Sequence, residues 1–242
     1  MTKKDAVRFL ILRTVGNFLL LFAIFGVGAT FGPALYYEVL FGVMQARGVT
    51  YKVAAAAPST TSAFGELLKQ DGEEPTINTS GPEFASVLAG AKEQILIPKD
   101  TDFNILIPKL GANEKIFPNI DASSESEFLP VLTQGVAHAR GSVFPGGNGN
   151  IYLFAHSTDN FWDVGRYNAV FYLIKNLTAG DEIVVFYQGT RHNYVVRESR
   201  VVDAEDVSFI VSGQTDKEVL ILQTCWPPGT SWKRLLVFAE PK

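Results

Sequence analysis

The chain has 242 residues, 47% of them apolar, with 25 acidic against 21 basic side chains and a formal charge of −4. That length and apolar content suffice for one sizeable core plus an appendage, and the acidic balance argues against a nucleic-acid-binding surface. The single cysteine, Cys225, excludes an internal disulfide and a cysteine-based metal cluster.

The first thirteen residues carry Lys3, Lys4, Arg8 and Arg13 against Asp5 alone, and Thr14 to Tyr37 then runs 24 residues without a charge. As a helix that run is about 36 Å long, enough to span a bilayer with some tilt. The positive flank stays inside, so residues 1–13 are expected in the cytoplasm, 14–37 as a signal anchor, and the rest outside the cell. The small-residue run Ala54–Ala57 lies too far downstream to serve as a signal-peptide cleavage site. Residues 38–99 read as an extracytoplasmic linker. Tyr36–Arg47 extends the helix outward, and Ala54–Thr61 is an Ala/Ser/Thr tether. Within Pro82–Ile95, Phe84, Val87, Leu88, Ala91 and Ile95 fall at helical spacing. This short helix is expected to pack on the outside of the following domain, with a lid over a site as the functional alternative.

Residues 100–242 change to short strands separated by turn residues, the pattern of a β-barrel or sandwich. Strands are predicted near Phe103–Pro108, Glu114–Ile120, Ile151–His156, Glu182–Tyr187, Tyr194–Val202, Val219–Cys225 and Arg234–Glu240, with a further one around Gly141–Phe144. Asn168–Leu177 is the one helix expected among them. The glycine-rich turn at 145–150 is followed by neither Lys-Ser/Thr nor a helix, which excludes a phosphate loop.

The last two strands form a hairpin around Trp226-Pro227-Pro228-Gly229-Thr230, because two prolines and a glycine end the first strand. Simple closure sets Cys225 nearly opposite Arg234, and opposed residues share a face. A thiol beside a guanidinium is a nucleophile with a cation able to stabilise its thiolate or an oxyanion. A buried inert cysteine beside a surface arginine is the alternative.

The Thr-Cys ending an apolar strand, the Pro-Pro-Gly-Thr loop and Lys233-Arg234 opening the next strand resemble the active-site hairpin of sortases, membrane-anchored cysteine transpeptidases of bacterial surfaces. Tyr152–Thr158 (YLFAHST) resembles that family's strand ending on histidine, with Ala155 where most relatives have glycine. The resemblance runs from about Asp102 to Glu240. It implies a mainly β fold, a sortase-like closed β-barrel of about eight strands with a few short helices, preceded by the transmembrane helix.

The resemblance further implies Cys225 as nucleophile, His156 as general acid and Arg234 as oxyanion or substrate-backbone partner, with no cofactor. Thr224, Trp226, Trp232 and His138 are the substrate-contacting candidates. Thr224 and the two tryptophans are read equally well as ordinary strand and loop packing. His192 reads as a surface histidine at a hairpin turn. Asp203, Glu205 and Asp206 lie where some sortases bind calcium, but a solvated acidic turn accounts for them. The implied substrates are surface proteins carrying a C-terminal LPxTG-like sorting signal, and the implied acceptor is an amine of a peptidoglycan precursor or a pilin. A peptidase delivering the acyl group to water, or an inactive anchored binding module, are the competing functions. The short loop between Cys225 and Arg234 is more like the housekeeping or sporulation-associated branches than the calcium-activated one.

Overall fold

A computed structural model describes residues 3–54, 76–78, 84–157, 169–211, 216–228 and 230–242. Helix α1 runs unbroken over Lys3–Arg47, and its stretch Lys3–Gly28 is long and apolar enough to cross a membrane. Three short strands follow: β1 (Thr50–Val53), β2 (Thr76–Asn78) and, after helix α2 (Phe84–Ala89), β3 (Glu93–Leu96). They form a parallel sheet in the order β1-β3-β2. The segment expected to be a linker therefore contains ordered sheet. The predicted helix is shortened to α2, with Ile95 in β3. Residues 55–61 of the expected tether and 82–83 of the expected helix lie outside the described residues.

Eight further strands close into a barrel: β4 (Phe103–Ile107), β5 (Ala112–Ile120), β6 (Val136–Ala139), β7 (Asn150–Phe154), β8 (Glu182–Tyr187), β9 (Thr190–Asp203), β10 (Val219–Trp226) and β11 (Lys233–Pro241). The ring order is β10-β11-β9-β8-β4-β5-β6-β7. The β5–β6 and β7–β10 pairs are parallel and the rest antiparallel. Closure leaves the ring no open end. Helix α3 (Glu125–Leu132) links β5 to β6, a 3₁₀ helix (Ala169–Asn176) links β7 to β8, and the single turn α4 (Ser208–Val211) links β9 to β10.

Alternation along the strands sorts side chains between the two faces of the barrel wall. Ile105, Ile107, Leu153, Val185, Leu222 and Val237 fill the interior. Outside, two clusters cover opposite walls. On one, Leu106, Val184 and Phe186 pack against Leu40, Met44, Tyr51 and Val87. On the other, Tyr152, Phe154, Ile221 and Leu236 pack against Leu132, with Phe128 and Phe209 beside them.

Gly141–Phe144, expected as a strand, is a turn region; the strand lies just upstream, at β6. Gly141 has φ +91, a left-handed conformation suited to glycine and to a bend. The segment predicted as a helix at Asn168–Leu177 is wound as 3₁₀ over Ala169–Asn176, with Asn168 outside the described residues.

Candidate active site

The site grows from three neighbouring strands. In the β10–β11 ladder Cys225 is the direct partner of Arg234, and Gln223 that of Leu236. Parallel β7 pairs with β10 from Val219↔Asn150 to Gln223↔Phe154. Two residues beyond that last pair stand Cys225 on one strand and His156 on the other. Two hydrogen bonds hold the strand ends together past the ladder. The Ala155 N–H donates to the Gln223 carbonyl (3.2 Å), and Thr224 Oγ1 donates to the Ala155 carbonyl (3.1 Å). His156, Cys225 and Arg234 thus follow the period of the outward-facing residues Phe154, Gln223 and Leu236, and all three line one cavity of about 560 Å³.

Phe128, Leu129 and Leu132 of α3 line its apolar wall, and Asp121, Ser123 and Glu125 its polar wall. Arg140 braces the polar side. Its guanidinium reaches Asp121 at 3.0 Å and Glu127 at 2.7 Å, while its Nε donates to the Asn119 carbonyl at 3.3 Å. His156 is 6% exposed and Cys225 half-buried. Arg234 is half-buried, and its Nη1 donates to the carbonyls of Ser231 (3.0 Å) and Lys233 (3.1 Å). Those bonds fold the guanidinium against its own loop at the cavity edge. Beneath, the Tyr152 hydroxyl donates to Gln223 Oε1 (2.8 Å). Burial pushes that phenol well above its ordinary range, against the opposing pull of the Arg234 charge, so it stays a neutral donor.

The remaining candidates are placed differently. Thr224 is buried, and its hydroxyl is spent on the β7 strand end. Trp226 points to the opposite face and packs on the interior core. Trp232 is 75% exposed. Neither tryptophan lines the cavity. His138 does not line it either: it is fully buried in β6, its ring stacked on Phe144 with centroids 4.5 Å apart. Its Nδ1 accepts from the Asn119 N–H (3.3 Å), which assigns the proton to Nε2, 3.0 Å from the Val143 carbonyl. It bridges strand β5, through Asn119, to the turn region at Val143. His192 is half-buried on β9, register partner of Val185.

Asp203 pairs with Lys233 (3.2 Å), and Asp206 accepts from Ser208. Among the described residues no three His, Cys, Asp or Glu gather as metal ligands. Sequence reasoning missed Gln223, Tyr152, Arg140 and the α3 wall. The two strand residues were readable from their period-2 offset to Cys225 and His156; the wall was not.

A family model described as Sortase domain matches residues 105–242. Sortase D of Bacillus subtilis (strain 168) is 30% identical over 137 residues, covering 55% of this chain and 60% of that relative, so the match spans less than two thirds of the relative's length. Among solved structures, sortase C from Clostridium perfringens SM101 is similar at 26% identity over 57% of this chain and 68% of its own, with a TM-score of 0.44. Sortase C-1 from Actinomyces oris is similar at 22% identity over 75% of this chain and 96% of its own, with a TM-score of 0.49.

Proposed function

The chain belongs to the sortase family, and from that premise we propose that it is a membrane-anchored cysteine transpeptidase cutting proteins at a C-terminal, LPxTG-like sorting signal. The observation that carries this reading is the convergence of Cys225, its register partner Arg234, and His156 from the adjoining strand on one cavity. Residues 100–242 are the catalytic domain in this reading. Residues 14–37 anchor it, residues 1–13 stay in the cytoplasm on the strength of four basic residues, and residues 38–99 lie between.

The chemistry follows from what a thiol requires. Free cysteine titrates near 8.5, and a guanidinium or imidazolium beside it favours the thiolate. The Cys225 thiolate attacks the carbonyl carbon of the threonine-like residue of the signal. Arg234 stabilises the oxyanion that forms. The C–N bond then breaks as His156 gives its proton to the departing amine, leaving a thioester. An amine of a peptidoglycan precursor or pilin attacks that thioester, His156 takes up its proton, and the thiolate leaves.

The test is intact-protein mass spectrometry after incubation with sorting peptides and no amine. The expected result is a thioester adduct on the wild type that Cys225→Ala lacks. No adduct across a broad peptide panel, with a Cys225 that resists a small thiol reagent in the folded protein, would sink the proposal.

A further inference from the structure

Between β5 and β6 the parallel ladder slips. Phe117 pairs with Ala137 and Ile120 with Ala139, so Pro118 and Asn119 stand against His138 alone, a bulge of two residues against one. Pro118 has no N–H to give. Asn119 takes the left-handed conformation, with φ +58, which is uncommon for any residue but glycine. Backbone pairing is therefore thinnest where the chain is about to leave β5 for α3.

Side chains from the β6 side take over there. His138 Nδ1 holds the Asn119 N–H (3.3 Å), and Arg140 Nε holds the Asn119 carbonyl (3.3 Å). The Arg140 N–H donates to the Ile120 carbonyl (2.8 Å). Its Nη1 reaches Asp121 at 3.0 Å and its Nη2 reaches Glu127 at 2.7 Å. The same Glu127 oxygen accepts the Asp121 N–H (3.0 Å). All three guanidinium nitrogens thus close on the junction between β5 and α3.

Helix α3 has little of its own to hold it. It is eight residues long, Ser124 at its N-cap makes no side-chain capping bond, and Pro130 interrupts its interior. Yet this helix supplies the apolar wall of the cavity through Phe128, Leu129 and Leu132. The Phe128 ring also meets that of Phe154 edge-on, with centroids 6.1 Å apart, two residues before His156. The Arg140 side chain is 55% exposed, so either ion pair alone would contribute little and be screened by salt. A planar fork that reaches a carbonyl and two carboxylates at once is different, because a lysine ammonium cannot reproduce it.

We propose that Arg140 is a positioning residue: it clasps the β5–α3 junction to the end of β6, and so fixes how close the apolar wall of α3 stands to Cys225. It acts through α3 and not on the reacting atoms. Its consequence is a limit on how bulky a group the cavity admits beside the thiol, whatever reaction that thiol performs.

The test uses the full chain in detergent micelles and its single cysteine. Cys225 is labelled with methyl methanethiosulfonate and, separately, with a bulky aromatic methanethiosulfonate, and the ratio of the two rates is taken. The reactive group is shared, so the thiol's own reactivity cancels and the ratio reads room at the sulfur. The expected result is a bias toward the small reagent that falls several-fold in Arg140→Lys and in Glu127→Gln. The double variant should fall little further than the larger single loss, because both residues act through one clasp. Hydrogen–deuterium exchange over residues 124–133 should quicken in the same variants. An unchanged ratio in the folded variants overturns the proposal whatever happens to their melting temperature, and so do single losses that multiply in the double variant. Should Arg140→Lys not fold, Glu127→Gln decides alone. A wild-type Cys225 inert to the small reagent sinks the transpeptidase reading instead, and exchange over α3 then decides the clasp: unaltered protection in the variants overturns it, and quickened exchange upholds it.

Discussion

Cys225 faces Arg234 directly across the β10–β11 ladder, so the thiol and the guanidinium reach the cavity from adjacent strands on one face. Neither is carried on a long loop. Their relative position is set by backbone pairing rather than by rotamer choice alone.

Cys225→Ala is expected to abolish both acyl-enzyme and turnover while peptide binding persists. His156→Ala should lose roughly 10²–10⁴-fold, the usual worth of a positioned acid or base. Arg234→Lys keeps the charge but not the planar fork, and should remain strongly impaired. In the proposed mechanism all three act on one transition state, so His156→Ala/Arg234→Ala should fall well short of the product of the single losses. Steady-state kinetics with an added amine checks each of these, and full rescue by lysine would reduce Arg234 to a point charge.

Thr224→Val removes the hydroxyl that ties β10 to the Ala155 carbonyl with almost no change of shape. A buried acceptor losing its donor costs about 1–3 kcal/mol, and the segment after β7 that carries His156 keeps only the Ala155 N–H to Gln223 carbonyl bond of its two ties to the cysteine strand. The expected outcome is a lowered melting temperature together with a kcat reduced more than KM is raised. A melting temperature that falls with unaltered kcat would show the bond to be only structural.

The docked turns of α1 belong to the fold. A soluble form beginning at Ser80 leaves Leu106, Val184 and Phe186 without Leu40, Met44 and Tyr51. Loss of a large buried side chain costs roughly 2–5 kcal/mol, which for a domain of this size lowers Tm by roughly 10 °C. A form beginning at Tyr36 should escape that loss. Equal melting curves for the two would mean the docking contributes nothing.

Burial holds the His138 imidazole below its ordinary pKa, opposed by its bond to the Val143 carbonyl. The unfolded chain, titrating near 6.5, takes up the proton first as pH falls. The stability this residue contributes is therefore fully present above about pH 6.5 and is lost as pH drops toward the lowered folded value. Urea melts of the wild type and His138→Gln across that window should converge as pH falls. A gap between them that does not change with pH would contradict the assignment.

What could be read from the chain was whatever announces itself locally. The β10–β11 hairpin was legible to the register because an apolar run, two prolines and a basic restart are contiguous in sequence. The strand leading to His156 was legible for the same reason. Strand β6 was not: it is four residues of small side chains around a histidine, while the more apolar 141–144 downstream is bent at Gly141. Helix α3 carries Pro130 in its interior, which hides it from a propensity reading. Strands β1–β3 are three or four residues long and pair in parallel with distant partners, such as Tyr51 with Gln94, so no turn residue marks them. The site's wall depended on α3 and on Arg140 just past β6, whereas its three central residues lie on the strands that were legible.

The parallel β7–β10 seam also has a temporal meaning. Phe154 and Gln223 are separated by 69 residues, and non-local pairing of that kind is slow to form. A chain made from its N-terminus displays His156 long before Cys225 exists. Cys225 and Arg234 then arrive together, on the hairpin that completes the ring. A chain emerged only as far as β9 lacks the cysteine of the site. In the reading proposed above, Cys225 meets His156 and Arg234 only once the β7–β10 seam and the β10–β11 hairpin have closed.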